Sequence, residues 1–321
     1  MFAVTLATAA PVRAADWSYR LPEAPSTFTA DVGLRLWYGN AKTGKNLYDN
    51  SGSELLSRLT YDGASMFNTE AFTRFDFDGG WFLKGYAGGG ALWGGRLKDE
   101  DFPAVDFNPY SATLSKQNNG SMIYGSVDAG FKWLRGPDFH VGSYVGYHIL
   151  RQVVSAYGCT QIASNPDICP AGVVPDNLNV ITQTNDWHSL RVGLDASVNF
   201  NERWRLSVDA AYLPLVHLSG TDAHWLRIGT SPGDFTGPVP EDGNGWGYQL
   251  EGFVSYRVNE WVNVGVGGRY WHMETSGFTH FENHVVGFTA LPQVVKWRTD
   301  NAGVFFQTSI KLGPYPLFWT N

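Results

Sequence analysis

Between residues 27 and 39 apolar and polar side chains alternate one for one. Phe28, Ala30, Val32, Leu34, Leu36 and Tyr38 fall on one side of an extended chain, and Thr29, Asp31, Gly33 and Arg35 fall on the other. A strand buried on both faces would be apolar throughout, so this pattern marks a sheet with one apolar face and one polar, charge-bearing face. Near the C-terminus Val304, Phe306, Ile310 and Leu312 alternate with Gln307, Ser309 and Lys311 in the same way. The stretch 190–200 repeats the pattern with Arg191, Asp195 and Asn199 on the polar side, and 248–258 repeats it with Gln249, Glu251 and Arg257. Charges facing away from an apolar surface imply a polar lumen inside an apolar wall.

Such segments predict about ten strands, at 27–39, 55–78, 81–95, 119–135, 139–158, 185–200, 203–219, 245–258, 261–275 and 299–313. Their connections alternate in length. Tight ones fall at Gly79-Gly80, Gly136-Pro137-Asp138, Asn201-Glu202 and Asn259-Glu260, and long ones cover 40–54, 96–118, 159–184, 220–244 and 276–298. Trp133, Trp204 and Trp261 lie beside short turns, where an interfacial girdle would stand. The expectation is an all-β, ten-stranded antiparallel transmembrane β-barrel with short periplasmic turns and long extracellular loops. A soluble sandwich also alternates, but it gives no reason for every second connection to be long.

Composition agrees: 15% of residues are aromatic, 17% are charged, 37 are glycine, and no apolar run is long enough for a transmembrane helix. Residues 1–15 read as a secretory signal peptide, with an apolar core and small residues at a cleavage site near Ala14 or Ala15, although no basic residue precedes the core. Residues 16–321 form a single outer-membrane barrel domain in this reading. The two cysteines, Cys159 and Cys169, bracket a short polar stretch, and in an exported protein they are expected to form a disulfide that pins a loop. A net charge of −7 argues against a nucleic-acid partner.

Asp-x-His occurs three times, as Asp138/His140, Asp186/His188 and Asp222/His224, so the motif alone selects nothing. Topology does the selecting. Asp138/His140 falls at a periplasmic turn, as does Asp76-Phe77-Asp78, whereas Asp99-Glu100-Asp101 and Asp222/His224 follow strands on the outer side and face each other across the mouth. Residues two apart on an extended chain project together, which pairs Asp99 with Asp101 and Asp222 with His224. An Asp beside an imidazole fixes its tautomer and makes His224 a general base for water. Two neighbouring carboxyls that share a proton can accept from a water and donate to a carbonyl oxygen. His148, Asp186/His188 and the run His280-Phe281-Glu282-Asn283-His284 compete for the role; no metal is expected at His280 and His284, which lack a third well-placed ligand.

With these motifs in place the chain resembles the omptins, ten-stranded outer-membrane proteases with an Asp-x-Asp and an Asp-x-His facing each other above the membrane. Gly-Gly-Arg-Leu-Lys-Asp-Glu-Asp-Phe at 94–102 is similar to the family's first acidic site, and Ser-Gly-Thr-Asp-Ala-His-Trp at 219–225 to its dyad. The resemblance implies that Asp222 and His224 activate the attacking water while Asp99 and Asp101 hold it and stabilise the oxyanion. It implies an endopeptidase acting on extracellular peptides or proteins, with its site facing outward from the bacterial outer membrane. Gly-Tyr-His-Ile-Leu-Arg at 146–151 resembles the family's lipopolysaccharide-gripping stretch, which makes Tyr147 and Arg151 candidate lipid contacts, though Ile149 replaces an acid between them. An interfacial Tyr and a snorkelling Arg would give the same two residues. No cofactor is expected other than lipopolysaccharide as a requirement for activity.

Two departures bear on specificity. Omptins that cut beside basic residues carry an acid two positions before the dyad Asp, where this chain has Gly220, and another near the top of the first strand, where Lys42 and Lys45 stand in the expected first loop. Asp234, Glu241 and Asp242, on a loop rich in Gly and Pro, are the remaining acids that could swing inward. The alternative function is an omptin-shaped adhesin or surface-binding barrel without useful turnover. A channel fits less well, because side chains largely fill a lumen of about ten strands.

Overall fold

The computed structural model describes residues 28–313 except 104–107, 164, 166, 171–172 and 284–290. The expected signal peptide and His284 lie outside the described residues. Eleven strands run in chain order: β1 Phe28–Tyr48, β2 Leu55–Phe77, β3 Trp81–Trp93, β4 Arg96–Asp101, β5 Ser111–Arg135, β6 Phe139–Gln161, β7 Asn179–Asn199, β8 Trp204–His224, β9 Val239–Arg257, β10 Val262–Thr279 and β11 Gln293–Leu312. All pair antiparallel, and β1 bonds to β11 on one side and β2 on the other, which closes the ring. β3 and β4 together fill one position between β2 and β5. The barrel therefore has ten staves, as the alternation predicts, with one stave broken at Gly94-Gly95, both at positive φ. A Cβ on Gly95 would come within 2.6 Å of the Ala64 nitrogen and the Asp62 carbonyl oxygen, so this break needs glycine.

On β1 the outward residues Val32, Leu34, Leu36 and Tyr38 are exposed, while Arg35 and Trp37 are buried inside. The apolar outward run from Phe28 to Tyr38 matches the about 9–11 tilted residues that cross a bilayer. Trp81, Trp133, Trp204 and Trp261 ring its lower edge, and Tyr38, Trp93, Tyr212 and Trp246 its upper edge, all exposed. Above the upper ring the strands continue, but their outward residues become polar: Lys42, Asp62, Lys116, Asp242, Lys296 and Arg298. The expected loops are accordingly much shorter than the sequence suggests. The segment 40–54 is largely strand, and so are the flanks of the other four long connections. Lys42 and Lys45 thus belong to β1, not to a loop, and Glu241 and Asp242 belong to β9.

At mid-height the lumen is filled. Trp37, Trp271, Tyr124, Tyr86 and Phe305 pack there, with Trp37 and Trp271 ring centroids 4.8 Å apart and Tyr124 and Trp271 5.0 Å apart. The Arg269 guanidinium lies among these rings and bonds Glu70 at 2.6 Å and Glu251 at 2.7 Å, while Arg35 also reaches Glu70 at 3.0 Å. Below this layer lies a cavity of about 740 Å³ lined by charged residues. The expected Cys159–Cys169 disulfide is formed, joining the end of β6 to the segment before β7.

Candidate active site

Both acidic motifs lie on the polar part of the strands above the upper aromatic ring. On β4 the break at Gly94-Gly95 is followed by Leu97, Asp99 and Asp101, which share one side of the strand. They stand in register with Tyr61, Leu59 and Ser57 of β2, whose side chains are buried inside the barrel. On β8, Asp222 is buried and His224 half-buried, and the His224 Nε2 lies 2.9 Å from Asp222 Oδ2. Asp222 therefore holds Nε2 as the protonated nitrogen and leaves Nδ1 with a free lone pair. Phe235 packs edge-on against the imidazole, with ring centroids 6.0 Å apart. Among the described residues, the buried polar atoms without a hydrogen-bond partner include Asp99 Oδ1, Asp222 Oδ1 and the Tyr61 hydroxyl. Unpaired buried oxygens at one place are costly unless something polar completes them.

The electrostatics tie the two motifs together. Burial, reinforced by the Asp101 carboxylate, pushes the Asp99 carboxyl up to about 7, with His224 pulling the other way. Burial also raises Asp101, against a hydrogen bond from Ser57 and the charges of His224 and Arg227. Burial would raise Asp222 too, but the His224 ring and the Lys45 ammonium outweigh it and hold this carboxyl well below the usual carboxylate range. His224 is lowered by burial and raised more strongly by Asp222, so it sits above its ordinary value. Tyr61 is pushed well above its usual range by burial and by Asp222, Asp99 and Glu241, and so remains a neutral donor. One acid that keeps a proton near neutrality faces an imidazole whose affinity for a proton is raised by its carboxylate partner.

An acid whose pKa is higher in the folded barrel than the unfolded value of 3.8 stabilises the fold fully at low pH, and that contribution is lost as pH rises through about 7. Asp99→Asn removes this loss. At pH 8 the variant should unfold at a higher temperature than the parent, by on the order of 2 kcal/mol of stability once partial exposure is discounted. The gap should close by about pH 4. A variant less stable than the parent at pH 8 would show that Asp99 is not held against its charge.

Sequence reasoning named Lys45 and Glu241 only as loop residues near the mouth and did not join them, or Gln183, to the dyad. Lys45 projects into the lumen from β1 and bonds Asp222 Oδ2, Glu241 Oε1 at 2.7 Å and Gln183 Oε1 at 3.2 Å. Glu241 is held in turn by Gln183 Nε2 at 2.7 Å and Trp297 Nε1 at 3.0 Å. Glu241 stands directly opposite Gly220 in the β8–β9 register, so a carboxylate from the neighbouring strand occupies the level at which Gly220 lacks one. The signal for Lys45 was its parity, since it lies in step with Arg35 and Trp37. Lys42 points outward to Asp62 at 3.1 Å, Asp242 points outward toward His217 at 3.4 Å, and Asp234 accepts from the Ser231 backbone at 2.9 Å within its loop.

The competing histidines have other places. His140 bonds Asp195 at 2.8 Å in the lower lumen, and His148 is buried beside Trp271. His188 and Asp186 lie on the outer face, bonded to Tyr147 at 2.9 Å and Arg151 at 3.4 Å. Tyr147 and Arg151 do face outward, as their parity implies.

The fold and site define a class of molecule: a closed antiparallel barrel with an Asp–His pair and an Asp pair at its polar end. The same fold is found in the outer membrane protease OmpT from Escherichia coli, with a TM-score of 0.70 over 88% of this chain and 96% of that one, at 15% identity. The translocator domain of the autotransporter NalP from Neisseria meningitidis (TM-score 0.35, 9% identity, 87% and 88% covered) is too loosely similar to bear on the site. The same holds for the toluene transporter TbuX from Ralstonia pickettii (0.33, 8%, 87% and 89%). No protein-family model and no curated protein sequence matches the chain. At this identity the likeness establishes the fold, and the chemistry rests on the residues.

Proposed function

We propose that the chain is an outer-membrane endopeptidase whose site faces outward and whose nucleophile is water. The observation that carries this reading is the Asp222–His224 pair electrostatically coupled to Asp99 and Asp101, with buried oxygens left unpaired on both sides. His224 Nδ1 takes a proton from water as the water oxygen bonds to the peptide carbonyl carbon, and Asp222 stabilises the imidazolium that forms. The protonated member of the Asp99/Asp101 pair donates to the carbonyl oxygen as it becomes an oxyanion, with the Tyr61 hydroxyl as a second donor. His224 then returns its proton to the leaving nitrogen as the C–N bond breaks. The similarity to an outer membrane protease supports the location and the reaction class. Tyr147 and Arg151, outward near the upper aromatic ring, are the proposed contacts to lipopolysaccharide.

A second reading, a surface-binding barrel without useful turnover, is favoured by one observation: Lys45 shares the Asp222 oxygen that His224 uses. Incubating the refolded barrel with a diverse peptide library, followed by mass spectrometry, separates the two. Internal cleavage is expected, at a rate unchanged by a metal chelator, since no step above is assigned to a metal. A library left intact in the presence of lipopolysaccharide would favour the binding barrel, and loss of cleavage on chelation would overturn the mechanism.

A further inference from the structure

Lys45 has the environment of a bound ligand. Its ammonium carries three N–H donors, and all three have acceptors: Asp222 Oδ2, Glu241 Oε1 and Gln183 Oε1. Those acceptors do not depend on Lys45 for their placement. Glu241 is fixed by Gln183 and Trp297, and Gln183 donates also to Asn185 Oδ1 at 2.9 Å. Asp222 is fixed by His224. Without the lysine, two buried carboxylates and an amide oxygen would surround a cavity the size of an alkylammonium group, beside the imidazole. Two buried carboxylates with a single imidazole as their remaining partner of opposite charge favour a cation there, because one charge is otherwise left unpaired.

We infer that Lys45 is a tethered plug in a receptor for alkylammonium groups, and that it makes the cleft refuse cationic side chains next to the scissile bond. The selection step rests on the endopeptidase reading; the receptor does not. With Asp222 Oδ2, Glu241 Oε1 and Gln183 Oε1 already taken by Lys45, a substrate lysine or arginine at this place meets a like charge where those three acceptors would otherwise receive it. Uncharged side chains suffer no such penalty, which defines the substrate class as peptides with a small or apolar residue beside the cut.

Lys45→Ala removes the three stem carbons beyond Cβ and the nitrogen, which together have the shape of propylammonium. In the refolded barrel, millimolar propylammonium should raise the unfolding temperature of Lys45→Ala by several degrees. It should leave wild type and Lys45→Ala/Glu241→Gln unmoved, and propanol should have no effect on any of them. Absence of the propylammonium response in Lys45→Ala, or an equal response in wild type, overturns the receptor. In matched peptides carrying lysine or norleucine beside the cut, wild type should favour norleucine at least tenfold, and Lys45→Ala should shift that ratio toward lysine by tenfold or more. An unchanged ratio overturns the part played by Lys45 in selection. If Lys45→Ala does not assemble, Lys45→Met keeps the stem without the charge, and its lysine-to-norleucine ratio decides the same point. A wild-type barrel that cuts no peptide, while Lys45→Ala responds to propylammonium, removes the endopeptidase reading and leaves the receptor standing.

Discussion

His224→Ala and Asp222→Asn are each expected to lower kcat/KM by a hundredfold or more, about 2.7 kcal/mol of transition-state stabilisation. The two losses have different origins. In the proposed mechanism His224→Ala deletes the nitrogen that receives the proton, whereas Asp222→Asn keeps the shape and removes the charge that would stabilise the imidazolium. Asp222→Asn also breaks the ion pair with Lys45, so its effect includes a buried ammonium left with Glu241 as its remaining carboxylate partner. The double variant should therefore lose little more than the worse single one, as residues acting as a unit do. Asp138→Asn at a short turn and His217→Ala on the outer face should retain wild-type rates. Cleavage that survives His224→Ala but is abolished by His188→Ala would assign the reaction to Asp186 and His188 on the outer face instead.

Arg269→Met should cost the barrel about 3–5 kcal/mol, the range for removing one partner of a buried ion pair. Its guanidinium side chain is 1% exposed and the Glu70 side chain 0%, so no water can replace the lost partner. Glu70 would keep Arg35 alone, and Glu251 would share the same arginine. The rings of Trp37, Tyr86 and Trp271, all within about 5 Å of the Arg269 carbon, would lose their cation as well. Closed barrels keep their backbone hydrogen bonds internal, so unfolding can be followed by the heat-dependent electrophoretic shift expected of such a fold. The temperature of that shift should drop markedly for Arg269→Met and recover in part for Arg269→Met/Glu70→Gln. An unchanged shift in the single variant would show that water reaches the middle of the lumen.

The barrel was legible wherever one face of a strand meets hydrocarbon. On β1 the contrast between Leu34 and Arg35 is plain, and it ends at Tyr38. Beyond that residue both faces are polar, with Lys42 and Asn46 outside and Thr43 and Lys45 inside. Alternation then has no amplitude, which is why the upper third of the strands reads as loop. On β2 a bulge beside Gly63 adds a second obstacle: it shifts the inward parity from Ala64 and Met66 to Tyr61 and Leu59, hiding Tyr61. The acidic motifs were legible because each is a local pair, two residues apart on one strand. Lys45, Gln183 and Glu241 come from three strands distant in sequence, and only closure of the ring brings them to Asp222.

The filled layer at mid-height turns the barrel from a pipe into a cup. If the site is the outward-facing endopeptidase proposed above, whatever enters from the polar end must leave by the same rim, so both fragments of a cut chain would depart upward and the periplasm would receive neither. A peptide can reach His224 only by dipping a bend or an end past the rim, which favours slack, extended segments over packed ones. A folded protein would be cut where its own loops stand clear of its body. Because the floor is closed, cells can carry many copies of this barrel without becoming leaky.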